Sequence, residues 1–594
     1  MSQITQQGAL NTTALIVPDL YVQIVPPSVS QLNGVPTNVL GMVGTASWGP
    51  ANAPTTVASM ADYARQFGAV QNRKYDLGTA VAAAVLQGAN NFRCVRVTDG
   101  TDVAASATLN NGAVASIALA GTLTGYTAGA TIALTAPPVG GVQATAIVNG
   151  IGTLTNATII NPGSGYTVAP TATVTPVSGG TGATATATLS VAGAVLTAKY
   201  TGTLGNSVQA ALAAGSQSGT FRLTIAIPGQ VPEVFDNIGA GLSGNALWLA
   251  IANAVNNGLS GLRGPSQIVV ATAGAGTTAP ATGTVGQTQT FSAGTDGATT
   301  ITGATLLGSD VAPRKGMYSL RNTGASIGAL ADVDDSTTWS AQVAYGLSEG
   351  TYMVLTGPAG DTITNAIAAK AAAGIDSYAA KLLFGDWVYF NDLTNGMTRL
   401  ISPQGFVAGR LANLAPQESS LNKPLYGVVG TQKSYQNLVY STSDLQQLAQ
   451  AGIDVIANPI PAGNSFGVRI GHNSSSNSAT SGDNYTRMTN YEASTFAAGL
   501  GLFIGKLQSS QPNDPLRRQV QTTLDAFLQA QQDQRQVDDF SVQCDLNNNP
   551  PSRIALGYLQ ADVQVRYLSV VEKFLLNIEG GQSVTITRQQ TTPA

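Results

Sequence analysis

Residues 18–68 read PDLYVQIVPPSVSQLNGVPTNVLGMVGTASWGPANAPTTVASMADYARQFG. Around Pro18 the stretch 15–25 alternates apolar and polar residues before it meets Pro26 and Pro27, the pattern of an extended arm that ends in a strand. Residues 39–43 are apolar and short enough for a second strand. Residues 59–67 and 76–87 then carry helical spacing, with Ser59 and Asp76 placed as N-caps whose side-chain oxygens can accept the first free backbone N–H groups. A further strand over 92–97 completes a β-α-α-β segment.

Downstream, 103–198 holds no Asp, Glu, Lys or Arg, and Thr, Ala, Gly, Val and Ile dominate it. Composition of that kind, broken by the turn pairs Pro137-Pro138, Gly140-Gly141 and Gly179-Gly180, predicts a β-unit. Within it GYTAGATIALT from Gly125 recurs as GYTVAPTATVT from Gly165, a duplication with a period of about 40 residues. We expect a two-repeat β-domain inserted in a loop, with a disordered linker as the alternative. Charges return after Lys199. Residues 221–227 and 231–235 read as a hairpin and 245–256 as a helix, whereas 336–403 alternates helical patterns with short apolar runs, as an α/β unit does. The longest amphipathic helix is expected over 514–532, with Leu516, Val520, Leu524, Phe527 and Leu528 along one side. Strand-like runs over 540–544, 554–559, 574–578 and 584–587 follow.

The whole chain has 594 residues, enough for three to five structural units. Only 10% of them are charged and the net charge is -4, so no basic surface for nucleic acid is expected. Two cysteines, Cys94 and Cys544, exclude a disulfide framework; burial as small side chains is the simpler reading of both, and a single bridge between them stays open. No Lys or Arg precedes Arg65, so the basic start of a secretory signal is missing and assembly in the cytoplasm is expected. Gly, Asn, Gln or Thr interrupts every apolar run before it could span a bilayer, so no membrane insertion is expected.

The inventory for catalysis is thin, because His472 is the only histidine. It lies in a Gly-, Asn- and Ser-rich loop, where a solvated side chain is a simpler reading than a metal ligand. Gly463-Asn-Ser465-Phe-Gly467 and Gly324-Ala-Ser326-Ile-Gly328 match a nucleophile-elbow pattern, but Ser465 has no carboxylate between it and His472, and Ser326 lacks a clear apolar strand feeding its turn. The run Gly499-Leu-Gly501-Leu-Phe-Ile-Gly505-Lys506-Leu507 has the wrong spacing for a phosphate loop, and close helix packing accounts for it better. Asp332, Asp334 and Asp335 lack the glycine turn and later Glu of a calcium loop and read as a solvated loop or helix cap. We therefore assign no catalytic residue, no metal site and no cofactor.

The order of motifs, taken together, resembles the contractile phage tail sheath family. Residues 18–68 are similar to that family's opening "P-G-V-Y-V-x-E", small-residue strand, "G-x-A-x-x-G-P-x-N-x-P" and helix ending "F-G", departing from it at Asp19, Leu20 and Gln23. Residues 198–206 (AKYTGTLGN) resemble its "A-x-Y-x-G-x-x-G-N", Gly294-Thr-Asp-Gly297 its "G-G-x-D-G", and 540–557 (FSVQCDLNNNPPSRIALG) its "F-x-V-x-C-D-x-x-x-N" with the strand that follows. The resemblance covers most of the chain outside the uncharged insert.

It implies a multidomain α+β and α/β protein. The expected division is an N-terminal arm (1–26), an inner α/β domain from N- and C-terminal segments (27–102 and 415–580), the inserted all-β outer domain (103–198), a β-rich middle domain (199–290), a subtilisin-like α/β domain (291–414) and a C-terminal arm (581–594). It also implies a structural, non-enzymatic subunit that polymerises as stacked hexameric rings around a tail tube. Contraction would drive the tube through the host envelope, with the tube, baseplate and tail-terminator proteins as partners on a virion tail. The terminal arms would donate strands to neighbouring copies, here through Tyr21, Val22, Gln23, Ile24 and Val25 and through Val584, Thr585, Ile586 and Thr587. Arg517 and Arg518 are the candidates for touching the tube, against a reading as solvated residues near a helix start. Rival readings are a type VI-like or other contractile-injection sheath, a secreted β-rich adhesin and a hydrolase. The missing signal and the α/β centre weigh against the adhesin, and the single late histidine against the hydrolase.

Overall fold

The computed structural model describes residues 3–6, 21–24, 32–109, 191–277 and 287–578. Between 110 and 190 it describes 113–121, 128–138, 141–149, 157–163, 166, 168–175 and 183–189. Two compact units emerge, one from Pro36–Leu414 with Ser420–Asn477, the other from Met1–Val35, Ala415–Ser419 and Ser478–Ala594.

The larger unit is built on a six-stranded sheet in the order Ala380–Leu383, Tyr352–Thr356, Ile327–Leu330, Leu40–Gly44, Phe92–Arg96, Thr55–Val57. The first five strands run parallel and only the edge strand Thr55–Val57 is antiparallel. Every residue of Leu40–Gly44, Ile327–Leu330 and Tyr352–Thr356 is buried, as strands covered on both faces must be. On one face lie the helices Leu77–Leu86 and Gln404–Asn413, and on the other Trp339–Glu349 and Ile363–Ala372. The first two helices meet backbone to backbone. A Cβ added at Gly409 would come within 2.4 Å of Ala84 Cα, so the alanines of LGTAVAAAVL and the glycines of QGFVAGRLAN are a single packing solution.

Both expected helix caps are present. Ser59 accepts from Asp62 N at 3.2 Å, and Asp76 accepts from Thr79 N at 2.7 Å. The expected separation of 27–102 from 291–414 is corrected, because the strands of the two ranges lie side by side in this one sheet and meet where Ile327–Leu330 pairs with Leu40–Gly44. The physical reason is that Leu40–Gly44 and Phe92–Arg96 are short, apolar and without charge outside their arginines, so neither can stand at an edge. Strands of the same character from 327–383 extend the sheet on one side.

A second core in this unit lies between the antiparallel sheet Glu233–Ile238, Phe221–Ala226, Gln209–Ala214, Gln287–Thr290 and a three-stranded sheet Val269–Ala273, Ala194–Ala198, Ser106–Leu109, with helix Gly244–Asn257 placing Trp248 in it fully buried. The expected insert boundaries are thereby corrected. Ser106–Leu109 and Ala194–Ala198 pair with each other and bury Leu109, Ala194, Leu196 and Ala198 in this middle core, so the insert proper begins after Leu109 and ends before Ala194.

The insert is a six-stranded antiparallel sheet in the order Ala157–Asn161, Thr145–Val148, Thr131–Leu134, Thr171–Val174, Thr184–Leu189, Val114–Ala120. Its central strands are the same segment of the two repeats. They pair Ala172 with Leu134, Thr173 with Ala133 and Val174 with Ile132, a register that exchanges equivalent positions about a pseudo-two-fold axis at Ala133 and Thr173. The strand preceding each repeat lies beyond the last strand of the other. Val114 N donates to Pro162 O at 2.8 Å, which draws the two outer strands together. Three short strands cannot enclose a core, but two such sets exchanged in this way bury Val114, Ile117, Ile132, Leu134, Val148 and Val174. Leu109 and Ala194 are register partners, so a two-residue Asn-Gly turn can replace 110–193. We expect that variant to fold with an unchanged unfolding midpoint and to assemble as the full chain does. Failure to fold in circular dichroism, or loss of assembly in electron micrographs, would make the insert part of the structural core.

Candidate assembly interface

The smaller unit is organised by helix Pro515–Asp533 lying on the hairpin Val537–Gln543 and Asp562–Tyr567. The helix starts where sequence says it should. Asp514 accepts from Leu516 N at 3.0 Å and Arg517 N at 3.1 Å, and Pro515 occupies the first turn, where its missing N–H costs nothing. Burial alone would raise the Asp514 carboxyl. The backbone N–H groups of Ser509 and Arg517, with the Arg517 charge, outweigh it and hold the group below the usual range. Leu516, Val520 and Leu524 pack with Phe503 and Cys544.

In the hairpin Val537 pairs with Tyr567 and Gln543 with Asp562, through a bulge next to Val537. Phe540, Val542, Val563, Val565 and Tyr567 are half-buried and alternate with exposed Ser541, Gln543, Gln564 and Arg566. Only two strands pair here. Among the described residues neither outer edge carries a further strand, which leaves backbone N–H and C=O groups for an incoming chain, although Asp538 O, Val542 O and Gln543 O already accept from Gln532, Gln521 and Asn548. The sequence "F-x-V-x-C-D-x-x-x-N" gains a physical reading from this site. Val542 packs with the helix's apolar side chains, Phe540 is half-buried two positions earlier, and Cys544 is buried. Asp545 accepts from Asn547 N at 2.8 Å, and Asn549 Nδ2 donates to Asp545 O and Gln560 O at 3.0 and 2.8 Å while its Oδ1 accepts from Gln560 N at 2.6 Å. Asn549 thus clamps the connection that sets the hairpin's register.

Tyr567, at the other end, anchors the hairpin to helix Asp483–Leu500. Its hydroxyl donates to Glu492 Oε2 at 3.1 Å and lies 3.1 Å from Thr489 Oγ1. Glu492 Oε1 is buried with no hydrogen-bond partner, and burial pushes the carboxyl from an ordinary 4.5 up to about 7 against the pull of Tyr567. The folded state therefore keeps its proton over a range in which the unfolded chain has lost it. Its stability is full below about pH 4.5 and is lost as pH rises through about 7, by up to roughly 3 kcal/mol. Glu492→Gln should flatten that part of the pH profile and stabilise the protein at pH 8. Urea titrations of both proteins at pH 5 and 8 decide it, and an unchanged pH difference between them would assign the dependence elsewhere.

Both chain ends feed this unit. Leu32 leads in against Gly499, where an added Cβ would reach Leu32 Cδ2 at 2.0 Å, and Val35 N donates to Thr495 Oγ1 at 3.2 Å. Close packing therefore explains Gly499 but not its neighbours, since Gly501 faces open space and Gly505 has φ of +85°. Tyr21, Val22, Gln23 and Ile24 form a strand that pairs in parallel with Gln3–Gln6. Val25, Val584, Thr585, Ile586 and Thr587 lie outside the described residues.

The two arginines differ. Arg517 is buried, donating through Nη1 to Ser509 O at 2.7 Å and through Nη2 to Gln511 O, so its expected role at a tube surface is corrected to that of a clamp on the 509–511 loop. Helical spacing alone could not separate it from Arg518, which is exposed one position further on.

The residues weighed for chemistry have structural partners. Ser326 Oγ donates to Thr37 O and Val39 O at 2.8 and 3.1 Å, fixing the entry to a central strand. The backbone carbonyl of His472 receives Lys381 Nζ at 3.0 Å. Asp332 is buried and accepts from Ser402 N at 3.0 Å, Asp334 pairs with Lys74 at 3.0 Å, and Asp335 caps a short helix through Thr337 N. Cys94 and Cys544 are both free and buried; burial raises both thiols, Cys544 to about 11. Among the described residues no cluster of His, Cys, Asp and Glu could hold a metal, and no helix is long and apolar enough to cross a membrane.

No family model matches the chain, and no curated protein matches it in sequence. Its structural neighbours are sheath tail proteins and contractile injection system sheaths. A sheath tail protein from Listeria innocua aligns with a TM-score of 0.51 at 13% identity, over 87% of this chain and 90% of its own. One from Desulfitobacterium hafniense aligns over 88% and 93% at 14% identity with a TM-score of 0.48. The sheath of an extracellular contractile injection system, in its contracted state, aligns over 43% and 71% at 16% identity with a TM-score of 0.36. The likeness to the Listeria protein is one of fold, a multidomain arrangement of mixed α and β structure.

Proposed function

We propose that this chain is the structural subunit of a contractile tail sheath. Copies polymerise as stacked hexameric rings around a tail tube, and contraction drives the tube through the host envelope. The observation that carries the reading is the two-stranded hairpin Val537–Gln543/Asp562–Tyr567, which no further strand flanks among the described residues, set in a unit that both chain ends enter, within a fold shared with a sheath tail protein. Tyr21–Val25 and Val584–Thr587 are the strands that would fill those edges from neighbouring copies, because main-chain hydrogen bonds need little sequence chemistry and these ends carry little.

An arm strand of five residues gains a net ~0.5–1.5 kcal/mol for each hydrogen bond, whereas ordering costs ~1–2 kcal/mol per residue. Hydrogen bonds alone therefore do not hold the arm, which becomes ordered in the polymer where side chains are also covered. Work for contraction would come from a metastable assembled state, as rigid domains exchange contacts while the arms stay joined. The partners would be the tail tube, baseplate and terminator proteins, with assembly in the host cytoplasm and a final place on the virion tail. No catalysis is assigned.

Negative-stain microscopy of the purified chain tests the reading. Tubes or six-fold rings are expected, and a protein that stays monomeric at high concentration, with or without tube protein, would overturn it. Arg518 remains the candidate tube contact. Arg518→Glu should weaken co-sedimentation with tube protein without altering sheath length, and equal co-sedimentation would leave it an ordinary exposed side chain.

A further inference from the structure

Three of the sequence motifs that carry the resemblance meet at one place inside the larger unit, where the six-stranded sheet joins the middle core. The chain leaves the sheet through 98–104 and returns to it through 292–300, and these two crossings lie side by side. Val103 N donates to Thr295 O at 3.2 Å, Thr295 N to Val103 O at 3.1 Å and Asp99 N to Gly297 O at 2.8 Å, while the Asp99 carboxylate accepts from Thr299 N and Thr300 N at 3.1 and 2.9 Å. Two adjacent crossings between packed cores are the layout of a hinge, because a few residues in each can absorb a whole rotation.

Ties from outside the two crossings hold this hinge. Arg96, fully buried at the end of strand Phe92–Arg96, donates through Nη1 to Gly49 O at 2.7 Å, Thr201 O at 2.8 Å and Thr201 Oγ1 at 3.1 Å, and through Nη2 to Asp296 O at 3.0 Å. Asp296 binds Arg73 with one carboxylate oxygen at 2.6 Å and accepts from Thr203 N with the other, also at 2.6 Å. Asn206 and Gly294 exchange two hydrogen bonds of 3.0 and 2.7 Å. Trp48, from the loop after Leu40–Gly44, enters the middle core and meets Tyr200 edge to face at 5.5 Å. Gly202 passes so close to that loop that an added Cβ would lie 2.1 Å from Ser47 O.

We propose that GTASWGPANAP (44–54), AKYTGTLGN (198–206) and GTDG (294–297) form one locked hinge, with Arg96 at its centre, which makes the six-stranded sheet and the middle core a single body. Opening it would strip a buried guanidinium of its acceptors and uncover Trp48, and both changes are unfavourable. The insert grows out of Leu109 and Ala194 in the middle core, so it follows the sheet through the same lock. These motifs thereby act within one chain and not as contacts between copies, and the inference does not rest on the sheath reading.

The test follows hydrogen exchange by mass spectrometry along a urea titration of the full-length chain. Peptides covering Phe221–Ala226 report on the middle core and those covering Tyr352–Thr356 on the sheet. Arg96→Met removes the centre of the lock, whereas Asp296→Ala removes the tie to Arg73 and leaves Arg96 its carbonyl partners. Wild type should lose protection in both places at one urea midpoint. In Arg96→Met the two midpoints should separate, and in Asp296→Ala they should separate by less. A residue that merely stabilises the fold lowers both midpoints together. Two midpoints already present in wild type, or variants whose midpoints still coincide, would therefore refute the lock. Should Arg96→Met fail to fold, Asp296→Ala decides by the same criterion. Assembly is not read in these titrations, so a refuted lock leaves the sheath reading standing.

Discussion

Removing everything after Gly581 is expected to give a folded chain that no longer polymerises. Residues 584–587 form too short an apolar run to bury a core of their own, and an isolated strand is marginal in water. The described cores draw on nothing beyond residue 563, so they survive the deletion and the unfolding midpoint should scarcely move. Assembly should be lost, because an open hairpin edge then meets no strand. Thermal melts combined with analytical ultracentrifugation separate the two effects. Normal contractile tubes from the truncated chain would show that 584–587 is not the linkage.

The largest effect on folding is expected at Asp454. Lys381 and Asp454 form an ion pair of 2.6 Å with both side chains fully buried. The Asp454 carboxylate also accepts from Val455 N at 2.7 Å, Ile470 N at 3.0 Å and Gly471 N at 2.8 Å, while Lys381 Nζ reaches the carbonyl of His472. This one carboxylate holds the 468–472 turn against the edge strand Ala380–Leu383. Asp454→Ala leaves a buried ammonium without its counter-charge and three amides without an acceptor, at a cost of ~3–5 kcal/mol. Replacing both partners, Lys381→Met with Asp454→Asn, removes the stranded charge and keeps an acceptor for the amides, and should recover part of the loss. Chemical denaturation of Lys381→Met, Asp454→Asn and the double variant that combines them measures the coupling. A double variant as unstable as the sum of the singles would show that the pair is not coupled.

Lys370 provides a related clamp, donating to Ala451 O at 2.5 Å and Ser474 O at 2.8 Å from a buried position, and burial lowers its ammonium despite Asp376. Neither lysine is distinguishable in sequence from a surface residue. Lys381 sits in AAKLLFGD and Lys370 in AIAAKAAAG, and each acquires its role only from carbonyls and a carboxylate brought in from 451–474.

What sequence alone determined was local. Ser59 and Asp76 announced two helix starts because an N-cap acts on amides about three residues away, and Leu40–Gly44 announced itself as a strand because burial on both faces demands an unbroken apolar run. The duplication was legible because its two copies can be compared letter by letter. Only the tertiary structure decided partners. It put 36–102 into one sheet with 327–383, gave the first and last strands of the uncharged stretch to the middle core, set the repeats about a pseudo-two-fold axis, and buried Arg517 while exposing Arg518. Strand pairing and burial are settled by residues tens to hundreds of positions apart, and no periodicity within one segment records which other segment will cover it.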